Sequence, residues 1–233
     1  MVSGRETTTA GGRARGGALR VVALVAQKGG SGKTTLCVNL AVAGEGEGAR
    51  CLILDMDPQA SAEAWYQDRD ALTPRLARVE AGELARAIEA ARGQGFSHVL
   101  IDTPGRDEPA VAAAIRAADF CLVPCRPTAA DMKATPATMA TIKRLLKPAA
   151  FVLTQTPPRG FRIREAEVGL AVLGPVAPAT LVARSAFQDA HAAGLGITEF
   201  EPEGKGALEI LDLWRWVDRK LEKLAHEPQA HVA

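Results

Sequence analysis

The chain has 233 residues, 47% of them hydrophobic but only 4% aromatic, and a formal net charge of +1. That suits one large domain or two small ones, with a sizeable core of Ala, Leu, Val and Ile. The near-neutral charge excludes a global pull toward nucleic acid or membrane, so binding of either kind would need a local patch.

Met1 to Ala18, "MVSGRETTTAGGRARGGA", lacks hydrophobic periodicity and is rich in Gly, Thr and Arg. It reads as a disordered tail. A passive tail is preferred over a DNA tether built on Arg5, Arg13 and Arg15. This segment has arginines but none of the apolar stretch of a secretion signal. No part of the chain approaches the ~20 apolar residues of a membrane span. A soluble, cytoplasmic protein is expected.

From Arg20 onward, apolar strands alternate with helical stretches. "LRVVALVA" is a buried strand, Thr34 to Ala43 a helix, "GEGEGA" a turn and "RCLILDMD" the next strand. After a helix and a variable stretch, "ARAIEAARGQG" reads as a helix with its stop, and "SHVLIDTPG" as a strand. "ADFCLVPC" and "AAFVLTQT" are two more strands, with "DMKATPATMATIKRLLK" the helix between them. Continuous apolar strands separated by helices predict an α/β fold, a mostly parallel twisted sheet with helices on both faces. No repeat or linker divides it, so one domain is expected over residues 19–227, with a short disordered end at 228–233. The last helix is expected from about Gly206 to His226. Leu208, Leu211, Trp214, Val217, Leu221 and Leu224 recur there at helical spacing. It reads as a helix docked on the sheet with a solvated basic face at Arg215, Arg219, Lys220 and Lys223. Membrane targeting is the sharper alternative, weakened by Glu222 and Glu227.

The four cysteines, Cys37, Cys51, Cys121 and Cys125, lack zinc spacing. Small buried hydrophobes in a reducing compartment is the favoured reading. Cys121 and Cys125 flank a strand, but their spacing argues against a cluster shared across a dimer.

Between the first strand and its helix stands "QKGGSGKTT", Gln27 to Thr35. The phosphate-binding pattern is G-x-x-x-x-G-K-[ST]. Gly32, Lys33 and Thr34 match its end, but Gln27 holds the place of its first glycine and Lys28 is a second lysine. In a strand–loop–helix context, the glycines let backbone N–H groups turn inward around a phosphate, and the helix points its positive end at the same spot. Lys33 would sit on the β- and γ-phosphates and Thr34 would give its hydroxyl to Mg²⁺. Two carboxylate motifs support the site. In "LILDMDPQ", Asp55 and Asp57 are expected at the carboxyl end of a strand, where ligands bind in this architecture. Residues two apart on a strand share a face, so the pair would serve Mg²⁺ and a water. In "HVLIDTPG", Asp102 has the Walker B form and would hold Mg²⁺ through a water.

These three motifs resemble the ParA/MinD group of P-loop ATPases. "KGGSGKTT" is similar to the group's deviant Walker A motif, with Lys28 as signature lysine, "DMDPQ" to its Walker A′ and "VLIDTPG" to its Walker B. The likeness extends through "LVPCRPTAADMKA" and "ARSAFQDAHAAGLGITEFEPEGKGALEI" to the last helix, and is nearest to the short, ParF-like partition ATPases. The resemblance implies a homodimer that sandwiches two ATP molecules, with Lys28 reaching the partner's phosphates. It implies ATP and Mg²⁺ bound by Lys28, Gly29, Gly30, Ser31, Gly32, Lys33, Thr34 and Thr35, with Thr35 at the α-phosphate. Asp57 would position the attacking water, and Asp55 and Asp102 would be outer-sphere Mg²⁺ residues. Thr154 and Gln155 are also expected at the nucleotide, standing where relatives carry Asn-Arg near adenine, though that departure leaves the base contacts open.

The resemblance further implies nucleoid association through non-specific DNA binding, and a ParB-like or cargo adaptor protein that stimulates hydrolysis. Arg159, Arg162 and Arg164 in "PPRGFRIRE" and Arg184 in "VARSAFQ" match segments that carry DNA-contacting arginines. The implied cargo is a plasmid, a chromosome or a protein assembly. Two alternatives remain: a MinD-like membrane-cycling ATPase, for which the ending "LAHEPQAHVA" has no apolar stripe, and a reductase or metallochaperone of the group, which would need a symmetric cysteine pair.

Overall fold

Along the first strand, β1 (Arg20–Leu24), side chains go alternately to two cores. Val21 and Ala23 enter one, Val22 and Leu24 the other. The same division holds in β2 (Cys51–Asp55), β4 (His98–Asp102), β5 (Phe120–Cys125) and β6 (Ala149–Leu153). With β3 (Arg75–Arg78), they form a six-stranded sheet in the order β3-β2-β4-β1-β5-β6. Every pairing is parallel, as the continuous apolar runs predict. The computed structural model describes residues 18–105 and 108–226. The expected tail at 1–18, but for Ala18, and the expected end at 228–233 lie outside the described residues.

One face is covered by α1 (Lys33–Gly46), α2 (Ser61–Gln67), α7 (Ala186–Ala192), α8 (Ile197–Phe200) and α9 (Lys205–His226). The other is covered by α3 (Leu84–Gly93), α4 (Glu108–Ala117), α5 (Ala129–Arg144) and α6 (Phe161–Ala171). All four cysteines are buried in these cores as free thiols. No described helix is long and apolar enough to cross a membrane.

Three expectations are corrected. The helix expected over Thr34–Ala43 runs on through Gly46, into the expected turn. Gly44 is where α1, β2 and α9 meet: an added methyl there would lie 2.7 Å from both Cys51 Sγ and the Trp214 ring, so a residue with no side chain is required. In the last helix, Leu208 does not belong to the docked stripe. It is 54% exposed, whereas Ile210, Leu213, Trp214, Val217 and Leu221 are buried. Finally, β2 ends at Asp55, so Asp57 lies in the following loop, and the shared strand face expected for the two does not exist.

The packed end of α9 is clasped to the sheet. Arg20 pairs with Asp218 and Glu222, and His98 Nε2 lies 3.1 Å from Asp218 Oδ1, with its ring edge-on to Trp214.

Candidate nucleotide site

The loop between β1 and α1 turns through Gly30 (φ 74°) and Gly32 (φ 96°), left-handed conformations that favour glycine. Lys33 opens α1 and is 7% exposed. Its Nζ donates to the Ala26 carbonyl at 3.3 Å, across the loop. Burial lowers the Lys33 ammonium below its ordinary 10.5, opposed by the charges of Asp102 and Asp57. The buried Ser31 Oγ has no hydrogen-bond partner among the described residues. The loop is therefore built around a buried cation, as a phosphate cradle requires. Thr35 follows Thr34 in the first turn of α1 and remains partly exposed.

Strands β2 and β4 are neighbours in register, Asp55 beside Asp102, so both carboxylates reach the carboxyl edge of the sheet together. Asp102 is fully buried. Its Oδ2 accepts from Thr34 Oγ1 at 2.6 Å, while Oδ1 has no partner among the described residues. Burial pushes its carboxyl up to about 7, against the Thr34 hydrogen bond and with the neighbouring Asp55 adding to the rise. Asp55 Oδ1 accepts from the Asp57 N–H at 3.0 Å and Oδ2 from the Glu63 N–H at 3.1 Å. Burial raises Asp55 too, opposed by those two N–H groups. Asp55 thus fixes the loop that carries Asp57, whose own Oδ1 accepts from the Gln59 N–H at 3.0 Å.

These groups fit a hydrated Mg²⁺ ion. The orphaned Asp102 oxygen, the Thr34 hydroxyl and Asp55 have the chemistry of such a site, which usually keeps several waters and uses one or two carboxylates plus phosphates. Among the described residues, no group of three or more His, Cys, Asp or Glu could hold an ion alone. Gly105 closes the site: an added methyl there would lie 3.7 Å from the Gly29 nitrogen and 3.8 Å from Lys33 Nζ.

The second lysine does not enter the loop. Lys28 Nζ lies 2.9 Å from Asp131 Oδ1, with 37% of the Lys28 side chain exposed against 3% of Asp131. Asp131 is also held by Arg126, through Nε and Nη2, and by Thr128 Oγ1 at 2.9 Å. Burial alone would raise the Asp131 carboxyl, but the bonds from Arg126, Lys28 and Thr128 hold it below the ordinary 3.8. Sequence reasoning passed over Asp131 and Arg126. The signal was present but ambiguous: Thr128 and Asp131 have the spacing of a helix-capping pair, and the Thr128 side chain does cap α5 by accepting from the Asp131 N–H.

The remaining candidates divide. Thr154 and Gln155 follow β6 and turn toward the loop, not toward open space: Thr154 Oγ1 donates to the Ser31 carbonyl and Gln155 Nε2 to the Gly30 carbonyl. Arg159, Arg162 and Arg164 are exposed at the entry to α6. Arg184 is not a free cation. It makes a two-pronged pair with Glu209 of α9, at 2.6 and 2.8 Å.

The CobQ/CobB/MinD/ParA nucleotide binding domain matches residues 22–191, from β1 to α7. The chain belongs to this family. Its relatives include Maintenance of carboxysome distribution protein A of Gloeobacter kilaueensis, 34% identical over 88% of this chain and 94% of that protein. The chromosome-partitioning ATPase Soj of Thermus thermophilus is 31% identical over 54% of this chain and 63% of Soj. Among solved structures, the septum site-determining protein MinD of Pyrococcus horikoshii, complexed with Mg-ADP, superposes with a TM-score of 0.71. That likeness covers 90% of this chain and 100% of MinD at 19% identity, and it shows the shared fold. The family match begins in β1 and spans the loop, both carboxylate strands and the Lys28–Asp131 pair.

Proposed function

We propose that this chain is a ParA-type ATPase that dimerises with ATP, binds DNA without sequence preference, and positions or partitions a cargo through partner-stimulated hydrolysis. The observation that carries the reading is the division between the two lysines. Lys33 is buried inside the loop, whereas Lys28 stands at its rim, partly exposed and held by a carboxylate. A cation that is not needed in its own loop, yet stands beside it, suits delivery to a second subunit's phosphates. The alignment with a carboxysome-distribution protein over most of both chains, and a shorter one with a chromosome-partitioning ATPase, support the positioning role. The cargo is a plasmid, a chromosome or a protein assembly, reached through an adaptor protein.

In this reading Lys33 and the loop N–H groups hold the β- and γ-phosphates in cis. Thr34, with Asp55 and Asp102 through water, would hold magnesium, which would neutralise phosphate charge. Asp57 orients the attacking water, its loop fixed by Asp55. Lys28 leaves Asp131 and meets the partner's phosphates, supplying positive charge where negative charge develops in the transition state. Hydrolysis removes the link and the dimer parts. Arg159, Arg162 and Arg164 neutralise DNA phosphates in the ATP-bound dimer.

The test is nucleotide-dependent DNA binding. Purified protein is titrated with duplexes of unrelated sequence in the presence of ATP, ADP or no nucleotide. Binding with ATP alone, equal across sequences, is expected. Equal binding in all three states, or none in any, would contradict the proposal.

A further inference from the structure

The two side chains that follow β6 brace the phosphate loop from behind. Gln155 Nε2 donates to the Gly30 carbonyl at 2.9 Å, and Thr154 Oγ1 donates to the Ser31 carbonyl at 2.8 Å. They also pack against the loop: a methyl added at Gly32 would lie 3.7 Å from Gln155 Nε2 and 3.9 Å from Thr154 Oγ1. Thr154 is 4% exposed, and its own N–H is bonded to the Cys125 carbonyl of β5 at 2.9 Å. Gln155 adopts φ 50°, a left-handed conformation that is uncommon outside glycine.

The consequence follows from peptide planarity. In a trans peptide, the C=O of one residue and the N–H of the next point in opposite directions. Fixing the Gly30 carbonyl against Gln155 therefore aims the Ser31 N–H away from Gln155. Fixing the Ser31 carbonyl against Thr154 does the same for the Gly32 N–H. Neither N–H has an acceptor among the described residues. A phosphate cradle needs this arrangement, with N–H groups turned inward and carbonyls turned out. A glycine-rich segment has unusual freedom to flip its peptide planes, so the aim has to come from outside the loop.

We infer that Thr154 and Gln155 are positioning residues that preset the Gly30–Ser31 and Ser31–Gly32 peptide planes for phosphate, and are not contacts to the nucleotide base. The inference rests on the reading that phosphates occupy the loop. It replaces the expectation that this strand end lies on adenine.

The test uses Thr154→Val, Gln155→Ala and Gln155→Gly in the full chain, with Lys33→Ala as reference. Isothermal titration calorimetry measures ATP, ADP, GTP and inorganic tripolyphosphate at fixed magnesium. Gln155→Gly removes the donor while relieving the left-handed backbone, so it separates lost positioning from lost stability. Each variant should weaken all four ligands by a common factor of about 2 to 10, the size of one net hydrogen bond. The ratio of ATP to GTP affinity should not change, and the melting temperature of Gln155→Gly should not fall. A changed ATP-to-GTP ratio with unchanged tripolyphosphate binding would place these residues on the base and overturn the inference. Unchanged binding of all four ligands, beside a defective Lys33→Ala, would overturn the inference alone. Normal binding by Lys33→Ala would overturn the phosphate-loop reading as well.

Discussion

Lys28 Nζ lies 2.9 Å from Asp131 Oδ1, so the second lysine of the loop is held by helix α5 of its own chain. Arg126 shares the same carboxylate. When Lys28 departs, Asp131 therefore remains paired, and the cost of release is small. A pair with one partly exposed member contributes about 0.5–1 kcal/mol. Each dimer releases two such pairs, so Asp131→Asn should favour the ATP-bound dimer, lowering its midpoint concentration by about 5- to 30-fold. Light scattering across a protein dilution series with saturating ATP checks this. A midpoint shifted upward would mean that Asp131 helps the dimer form.

Lys33 is a buried cation whose charge burial disfavours. Lys33→Met keeps the bulk of the side chain and removes that charge. The nucleotide-free protein should melt at the same temperature or higher. ATP affinity should fall about 10- to 100-fold, the size of a charge-assisted hydrogen bond. Calorimetric melting and nucleotide titration on one preparation separate the two effects. A folded variant with undiminished ATP binding would remove Lys33 from the site.

Asp102 gives the nucleotide-free protein a pH dependence of known sign. Its carboxyl stands at about 7 in the folded chain against an ordinary 3.8, because burial penalises the charge. A raised carboxyl contributes stability that is complete below 3.8 and is lost as pH rises through about 7. In a chelator, the melting temperature should therefore decline across this window. Asp102→Asn, which retains an acceptor for Thr34, should flatten the decline and melt higher than the parent at alkaline pH. An unchanged slope would assign the pH dependence to other groups.

The arginines should separate into two classes. Alanine at Arg159, Arg162 or Arg164 should weaken DNA binding uniformly across sequences and reduce the salt slope by about 1 for each DNA phosphate no longer neutralised. Arg184→Ala should instead cost about 1 kcal/mol of stability by freeing Glu209, which also accepts from the Val182 N–H. Denaturant unfolding and DNA titration at several salt concentrations make the comparison. Loss of DNA binding in Arg184→Ala, with stability intact, would return that residue to the interface.

The sheet and its site were legible where one local pattern decides the outcome. The apolar strands and the motifs at their carboxyl ends are contiguous in sequence, so Lys33, Thr34, Asp55 and Asp102 could be placed from the chain alone. Strand β3 was not legible, because "RLAR" at an edge has no apolar run and its side chains are largely exposed. Gly44 looked like part of a turn, because only Cys51 and the distant Trp214, both on other elements, make a missing side chain useful inside a helix. Arg184 looked like a free cation for the same reason: its partner Glu209 is remote in sequence. Thr154 and Gln155 were placed at the nucleotide by position alone, and their hydrogen bonds to carbonyls of a loop more than a hundred residues earlier leave no local signal in the sequence.

The central claim is that Lys28 acts on the neighbouring subunit's nucleotide, and subunit mixing tests it most directly. Lys28→Ala keeps a loop able to bind ATP but lacks the lysine to deliver. Lys33→Ala keeps that lysine but lacks a working loop. Each variant alone should release little phosphate. In a mixed dimer, the intact loop of one subunit would receive the intact Lys28 of the other. Phosphate release measured over a range of mixing ratios should therefore recover, with a maximum near equal amounts. A mixture no more active than its two parts, formed from subunits shown by light scattering to associate with ATP, would contradict the account.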